Sequence, residues 1–311
     1  MLSRIANNLY WAGRYLERIE HISRFVPVSY FAALDGPESV SMQYSLRSIN
    51  LMAGSTIEGG VPLVESVVLS NIAFEKTNPH SLISCAILAR ENCRGARDIL
   101  STELWESINR LYHFIQDYDR NVYLTTGMQA FMLQVQDKVA LCKARIQTTL
   151  IQNQVWSILT LGLLLERSAQ ILRITESKLK EMEELPKTDN EVIEIFEIGN
   201  LMRSLESYDM NRKFYGKTVD KRNALEFLLF QKNFPRSLSY CIIHICSHLT
   251  ELGIDKRGKE KSVKLLAQKF KNDLSYESVD DVLQNPIEYL STCAQTVSSI
   301  NNNLINNYFS T

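Results

Sequence analysis

The sequence predicts an all-α protein, a helical bundle built from two tandem, diverged copies of one multi-helix unit around a shared core. Three observations lead to this prediction. Apolar residues recur at steps of three and four along most of the 311 residues, as on one face of a helix. Only 12 glycines and 7 prolines are available to interrupt helices, and no run alternates as a β-strand would. Short stretches of the first half also recur, in the same order, in the second half.

The first predicted helix illustrates how the elements are placed. Its apolar positions run from Ile5 through Leu16 to Val26, it begins near Ser3, a good N-cap, and it should end at Pro27. Further helices are predicted at 39–53, 63–74, 79–100, 102–116, 124–150, 153–184, 189–206, 219–232, 236–252, 258–272 and 285–306. Proline and glycine mark the connectors at 35–37, 58–62, 78–79, 186, 234–235 and 285–286.

The duplication is predicted from three collinear matches. Residues 13–24 read GRYLERIEHISR and align without gaps to 162–173, GLLLERSAQILR. Residues 74–85, FEKTNPHSLISC, align to 230–241, FQKNFPRSLSYC, and 46–49 resemble 202–205 at the same offset. We therefore predict copies at 1–150 and 151–311, packed as one continuous domain.

Composition excludes several classes of function. The 34 basic and 35 acidic residues leave a formal charge of -1. We therefore do not expect the overall positive charge that nonspecific nucleic-acid binding requires. No signal segment precedes the first helix, and we saw no apolar run of the ~18 residues that a membrane span needs, so we expect a cytoplasmic protein without membrane contact. Isolated cysteines within helical patterns are expected to be reduced core residues. They are Cys85, Cys93, Cys142, Cys241, Cys246 and Cys293.

The repeated Glu-Arg segment carries the first candidate site. On the first helix, Gly13, Glu17 and Arg24 form a stripe beside the apolar face, whereas Arg18 points the other way. The corresponding helix of the second copy is apolar on almost every side. Glu166, Arg167 and Arg173 are therefore expected near the bundle centre, where charges must be paired. Two interpretations stay open. One is a structural ion-pair network, and the other is a polar pocket for a carboxylate or phosphate.

The second candidate site is the charged helix at 89–98, ARENCRGARD. It carries Arg90, Glu91, Asn92, Arg94 and Arg97, and it is either a solvated face of ion pairs or part of a binding site. The aligned stretch of the second copy is Cys-Ser-His at 246–248, so a site here should be asymmetric. Arg236 follows Pro235 at a predicted helix start, where an anion is favoured.

Other chemistries find little support. The sequence has no phosphate-binding G-x-x-x-x-G-K, no dinucleotide fingerprint and no Glu-x-x-His pair for di-iron. His244 and His248 share a helical face, but no acidic residue lies between them as in the zinc-protease motif, so we expect packed or solvated histidines. We predict no metal and no cofactor.

Four segments resemble the bacterial alpha-E family, an all-helical family: MLSRIANNLYWAGRYLERIEHISR, ARENCRGARDILSTELWESIN, GLLLERSAQILR and FPRSLSYC. The resemblance implies association with a circularly permuted ATP-grasp ligase, often with transglutaminase-like peptidases, and a part in making or modifying peptides. Ile19 and His21 depart from the residues usual after Glu-Arg. The family motifs fall on Tyr10, Trp11, Gly13, Arg14, Glu17, Arg18, Arg90, Glu91, Asn92, Arg94, Arg97, Glu103, Trp105, Asn109, Glu166, Arg167, Pro235 and Arg236.

The leading hypothesis is an accessory protein that presents a peptide or small anionic ligand to the ligase. The anion would be bound by Arg14, Arg18, Arg90, Asn92, Arg94, Arg97, Arg167 and Arg236. Alternatively the protein is an enzyme with Glu17, Glu91 or Glu166 as general base, or an interaction scaffold. Convergence of Glu91, Arg94 and Glu17 in a deep pocket would favour the first two.

Overall fold

The computed structural model describes residues 3–36, 41–54, 62–184, 190–216, 219–253 and 262–309, and every regular element in these ranges is helical. The chain divides into two compact units. We call Trp11–Ile151 the N-terminal unit, and Met1–Tyr10 together with Gln152–Thr311 the C-terminal unit. The first ten residues were predicted to belong to the first copy, but Tyr10 packs in the C-terminal unit. Its hydroxyl donates to Asn301 and its ring lies 5.1 Å from that of Phe309.

In the N-terminal unit, α4 packs on α5 and α5 packs on α7. Serine N-caps begin three of its helices, because the hydroxyls of Ser41, Ser81 and Ser101 each accept the N–H three residues later. Helix α1 begins in the other unit and enters this one at Trp11. The elements are α1 (Ser3–Asp35), α2 (Met42–Met52), α3 (Glu65–Phe74), α4 (Leu82–Gly95), a 3₁₀ turn (Arg97–Ile99), α5 (Thr102–Asp117), α6 (Arg120–Val122), a π-helical segment (Tyr123–Gly127) and α7 (Met128–Thr149).

In the C-terminal unit, the long helix α8 packs against α12 and α15. Its elements are α8 (Gln154–Glu183), α9 (Asn190–Ser204), α10 (Tyr208–Tyr215), α11 (Lys221–Phe230), α12 (Leu238–Glu251), α13 (Val263–Tyr276), α14 (Val279–Gln284), α15 (Pro286–Leu304) and a π-helical end (Ile305–Phe309). Helices α10 and α14 were not predicted, because each is too short to show a clear helical period. A capping box formed by Ser278 and Asp281 stabilises the N-terminus of α14.

Most predicted helices have observed counterparts with slightly different ends. The predicted 3.6-residue period is therefore confirmed as the organising pattern of the described chain. Predicted helix starts at 39, 189 and 258, and the connector residues at 37, 58–61 and 186, lie outside the described residues.

The prediction that the first helix ends at Pro27 is wrong, because α1 continues through Pro27 to Asp35. Proline has no N–H, so the carbonyl of Ser23 loses its usual helical donor. The structure supplies another: Gln136 Nε2 of α7 donates to the Ser23 carbonyl at 2.8 Å. A tertiary contact thus satisfies the group that the proline leaves open.

Helix α8 also differs from expectation. With 30 residues and a mean hydropathy of 1.3 over its most apolar window, it is long and apolar enough to cross a membrane by length and composition. That window is 78% buried inside the protein. Burial of this kind is what the core helix of a bundle shows, and it explains why α8 is apolar almost all round.

The paired segments 74–85 and 230–241 make the same local connection. Each preceding helix ends at phenylalanine, the next residue is extended, and Ser81 or Ser237 caps the following helix. The thiol of Cys85 donates to the Pro79 carbonyl at 3.7 Å, and that of Cys241 donates to the Pro235 carbonyl at 3.8 Å. Similar sequence therefore gives the same helix–turn–helix geometry in both units.

Replacing Gln136 tests the contact at Pro27. Gln136→Leu leaves the buried Ser23 carbonyl without its donor, and we expect a loss of ~1–3 kcal/mol in the free energy of unfolding, measured by urea denaturation. Adding Pro27→Ala should recover part of this loss, since alanine at that position restores an N–H for the same carbonyl. Gln134→Leu, an exposed position on α7, is the control. Equal losses in the two leucine variants would refute the explanation.

The cysteines should be inert in the folded protein. All six are free and buried, and burial raises the pKa of Cys93 and Cys293 to about 12 and that of Cys246 to about 11. We expect no reaction with a thiol reagent at pH 8 until the protein is denatured. The variant Ser247→Cys, which places a thiol at an exposed position, should react at once. Rapid native labelling of the wild type would contradict the burial.

Candidate functional site

The most exposed group of candidate residues lies on α4, the following 3₁₀ turn and α5. One face of α4 is apolar and buried, with Ala86, Ala89 and Cys93 in the core. The opposite face of the helix therefore points toward solvent. We call the resulting set the Arg90 cluster. It consists of Arg90, Glu91, Arg94, Arg97, Trp105, Asn109 and Tyr112.

Arg90 is held on several sides. Its Cζ atom lies 5.0 Å from the ring centroid of Tyr112 and 5.7 Å from that of Trp105. Its Nε donates to Asn109 Oδ1 at 2.7 Å, and its Nη1 donates to Glu91 Oε1 at 3.1 Å. Because stacking and hydrogen bonds fix the plane of the guanidinium, little freedom is left to lose on binding a ligand.

Two more guanidinium groups flank Arg90. Arg94 pairs with Glu91 and is 65% exposed, whereas Arg97 lies 5.5 Å from the Trp105 ring and has no carboxylate partner in the described ranges. Asn92 donates to the Leu88 carbonyl of its own helix at 2.8 Å. Glu91 therefore pairs with two of the three arginines, and the excess of arginines over this carboxylate leaves the cluster positively charged.

The Glu17 set is buried between α1 and α7. Glu17 is fully buried, and Lys143 Nζ lies 2.8 Å from its Oε2 and 2.5 Å from Glu20 Oε2. His21 Nε2 is 3.4 Å from Glu17, and Arg24 Nη2 is 3.6 Å from Glu20. These contacts neutralise charge inside the unit and favour the structural interpretation of Glu17.

The other side of α1 carries the remaining predicted arginines. Arg14 lies over Trp11 at 5.1 Å and Arg18 over Tyr15 at 5.7 Å, and both arginines are partly exposed. Arg18 therefore differs in burial from its neighbour Glu17, in agreement with the helical wheel.

The second Glu-Arg pair shows the same difference in burial between glutamate and arginine. Glu166 is 1% exposed and accepts a hydrogen bond from Gln170 at 2.8 Å. Arg167 donates to the Pro235 carbonyl at 3.0 Å, and Arg173 is partly exposed. The expectation that both arginines lie near the bundle centre is thus wrong, because their long side chains carry the charge outward. Arg236 pairs with Glu206 at 2.7 Å.

A buried lysine neutralises a further pair of carboxylates in the C-terminal unit. Lys178 Nζ lies 2.6 Å from Glu197, which is fully buried, and 3.3 Å from Glu181. Burial alone would lower the pKa of Lys178, but the two carboxylates outweigh it and raise the pKa. These ion pairs were not predicted from the sequence.

The structure thus sorts the predicted residues into separate groups. Arg90, Glu91, Arg94 and Arg97 come together, but neither Glu91 nor Arg94 contacts Glu17. The family resemblance had marked Trp105 and Asn109, whereas Tyr112 was missed. The spacing of these three residues on α5, at i, i+4 and i+7, was the available signal. Within the described ranges, no three His, Cys, Asp or Glu side chains converge to hold a metal.

Removing Lys143 tests the buried network. Lys143→Met leaves Glu17 and Glu20 without their shared cation, so we expect a loss of ~3–5 kcal/mol in unfolding free energy, measured by denaturant titration. Lys138→Met on the same helix removes only a cation–π contact with Phe114 and should cost less than ~1 kcal/mol. A Lys143→Met variant as stable as the wild type would show that these carboxylates do not depend on Lys143.

Comparison with known proteins gives one match. No curated protein and no solved structure matches the chain. The model of the Alpha-E family, a predicted alpha-helical domain with a conserved ER motif, matches residues 1–309. The chain contains this dipeptide twice, at Glu17-Arg18 and Glu166-Arg167, each time with a buried glutamate and a partly exposed arginine. The match covers nearly the whole chain, and the protein therefore belongs to the Alpha-E family.

Proposed function

We propose that this protein is an accessory, substrate-handling protein that binds an anionic group of a peptide or small molecule at the Arg90 cluster. It would do so for a circularly permuted ATP-grasp ligase that makes or modifies peptides. The observation that carries the proposal is the fixed guanidinium of Arg90, stacked on two aromatic rings and flanked by Arg94 and Arg97.

The chemistry of the cluster suits a carboxylate or a phosphate. Guanidinium groups bind either anion through paired, charge-assisted hydrogen bonds. Glu91 already occupies donors of Arg90 and Arg94, so an incoming anion would take over contacts that this carboxylate makes. Trp105 and Tyr112 hold Arg90 in place and shield it on one side from water, which strengthens the electrostatic attraction.

Membership of the Alpha-E family supports the choice of partner, since association with such ligases, and with transglutaminase-like peptidases, is what the family resemblance implies. On the same grounds we propose a bacterial, cytoplasmic protein.

We also propose that the two units arose by tandem duplication. The shared connection at 74–85 and 230–241 and the two Glu-Arg pairs support this origin. The alignment then pairs Arg90, Glu91 and Asn92 with Cys246, Ser247 and His248. The anion site would accordingly exist once, in the N-terminal unit.

The contacts of Glu91 favour binding over catalysis. As a general base it would need to accept a proton from a substrate, yet it is held in ion pairs with Arg90 and Arg94. Turnover by the purified protein without its ligase would nevertheless establish the enzyme alternative.

The test uses the full chain with its neighbouring ligase. We expect Arg94→Ala and Arg97→Ala each to weaken binding of a fluorescent acidic peptide or of inorganic phosphate by about 10- to 100-fold, because each removes a charge-assisted contact. ATP-dependent product formation by the co-purified ligase should fall with them. Circular dichroism should be unchanged, as both positions lie outside the core.

Arg110→Ala is the matched control. Arg110 is 70% exposed on α5 and pairs with Glu106 alone, outside the cluster. If Arg94→Ala and Arg97→Ala behave like Arg110→Ala in both assays, the anion site does not exist. Retained association with the ligase would then leave the interaction scaffold.

A further inference from the structure

The interface of α8 and α12 contains buried polar atoms without a hydrogen-bond partner. They are Trp156 Nε1 and Thr160 Oγ1. Polar groups inside proteins are normally paired, because leaving them unpaired costs free energy. The side chain of His248 is 6% exposed, so this is a polar position within a helix–helix interface.

These residues face one another because α8 and α12 run antiparallel. Ser157 Oγ donates to Glu251 Oε2 at 3.0 Å near one end of the pair, and Arg167 reaches the Pro235 carbonyl toward the other. The rings of Trp156 and His248 lie 4.9 Å apart. One turn further along each helix, this register places Thr160 opposite His244.

The orientation of His248 is that of a metal ligand. Its Nδ1 lies 3.5 Å from Glu251 Oε2, and Ser157 holds that same carboxylate oxygen. A metal-binding histidine characteristically directs one ring nitrogen to a carboxylate and coordinates with the other. Here the nitrogen turned away from Glu251 is Nε2.

His244 supplies the second nitrogen. It precedes His248 by one helical turn on the same face, and its ring lies 4.1 Å from that of Tyr240. Histidines at i and i+4 of a helix can coordinate one ion together.

We propose that His244 and His248 bind one divalent late transition-metal ion, Zn²⁺, Ni²⁺ or Cu²⁺, with Glu251 as the carboxylate that orients His248. Imidazole nitrogens select these ions over Mg²⁺ and Ca²⁺, which prefer oxygen. Since no three His, Cys, Asp or Glu side chains converge in the described ranges, water or an anion completes the coordination. In this proposal Trp156 Nε1 donates to that ligand, because this atom is buried without a hydrogen-bond partner and its ring lies beside His248.

This proposal revises the expectation of packed or solvated histidines. The zinc-protease motif has an acidic residue between its two histidines. The structure places the carboxylate three residues after His248 instead. The aligned residues of the first copy are Leu88 and Asn92, so the site is specific to the C-terminal unit.

The experiment titrates untagged, full-length protein with Cu²⁺, Ni²⁺ and Zn²⁺ by calorimetry and records the electron paramagnetic resonance of the Cu²⁺ complex. We expect one bound ion per chain and hyperfine coupling to two nitrogens. His244→Ala and His248→Ala should each reduce that coupling to one nitrogen and weaken binding by about tenfold or more. His113→Ala, which removes a solvent-exposed histidine of α5, is the control and should change neither.

Glu251→Gln keeps the proposal testable if the buried position 248 does not tolerate alanine, because Glu251 is 59% exposed. It should weaken metal binding about 10- to 100-fold while both nitrogens stay coordinated. Arg94→Ala should bind metal like the wild type, so failure of the anion site and failure of this one are distinguishable. Binding that is equal in the wild type and in the double variant of His244 and His248 would overturn the proposal.

Discussion

Buried carboxylates, and the cations that neutralise them, are the constraint on which the structure of each unit depends. Glu17 lies fully buried on α1, where a charge without a partner would cost several kcal/mol. Its cation, Lys143, comes from α7 at the other end of the same unit. In the C-terminal unit Lys178 of α8 serves Glu197 of α9 in the same way. Each ion pair therefore links helices that apolar packing alone would leave free to shift.

The Glu-Arg dipeptide gains a physical meaning from this arrangement. Adjacent residues of a helix point about 100° apart, so a buried glutamate carries its arginine toward the surface. Glu17 and Glu166 are buried, whereas Arg18 and Arg167 are partly exposed. In each unit, the dipeptide thus places one buried charge and one partly exposed charge on neighbouring residues of a helix.

The candidate binding chemistry lies away from these pairs and differs between the units. The end of α4 carries an arginine ordered by aromatic rings of α5, while α12 carries His244 and, in its last turn, His248 beside a tryptophan of α8. If the units are copies, corresponding ends of corresponding helices have acquired different polar side chains. Ser81 and Ser237, by contrast, have the same capping role in the two units. Under the two proposals, divergence of this kind would give one fold two different ligand sites.

The sequence by itself determined most of the helices, because the helical period and the serine caps are local properties of the chain. It also indicated which glutamates turn inward, since Glu17 lies beside the apolar stripe of its own helix. Tertiary structure decided the partners. Gln136 donates to the carbonyl that Pro27 leaves without a helical donor, and Tyr112 adds a second aromatic ring beside Arg90. Each of these side chains comes from another helix. Local periodicity cannot select such partners, because packing alone decides which side chains meet.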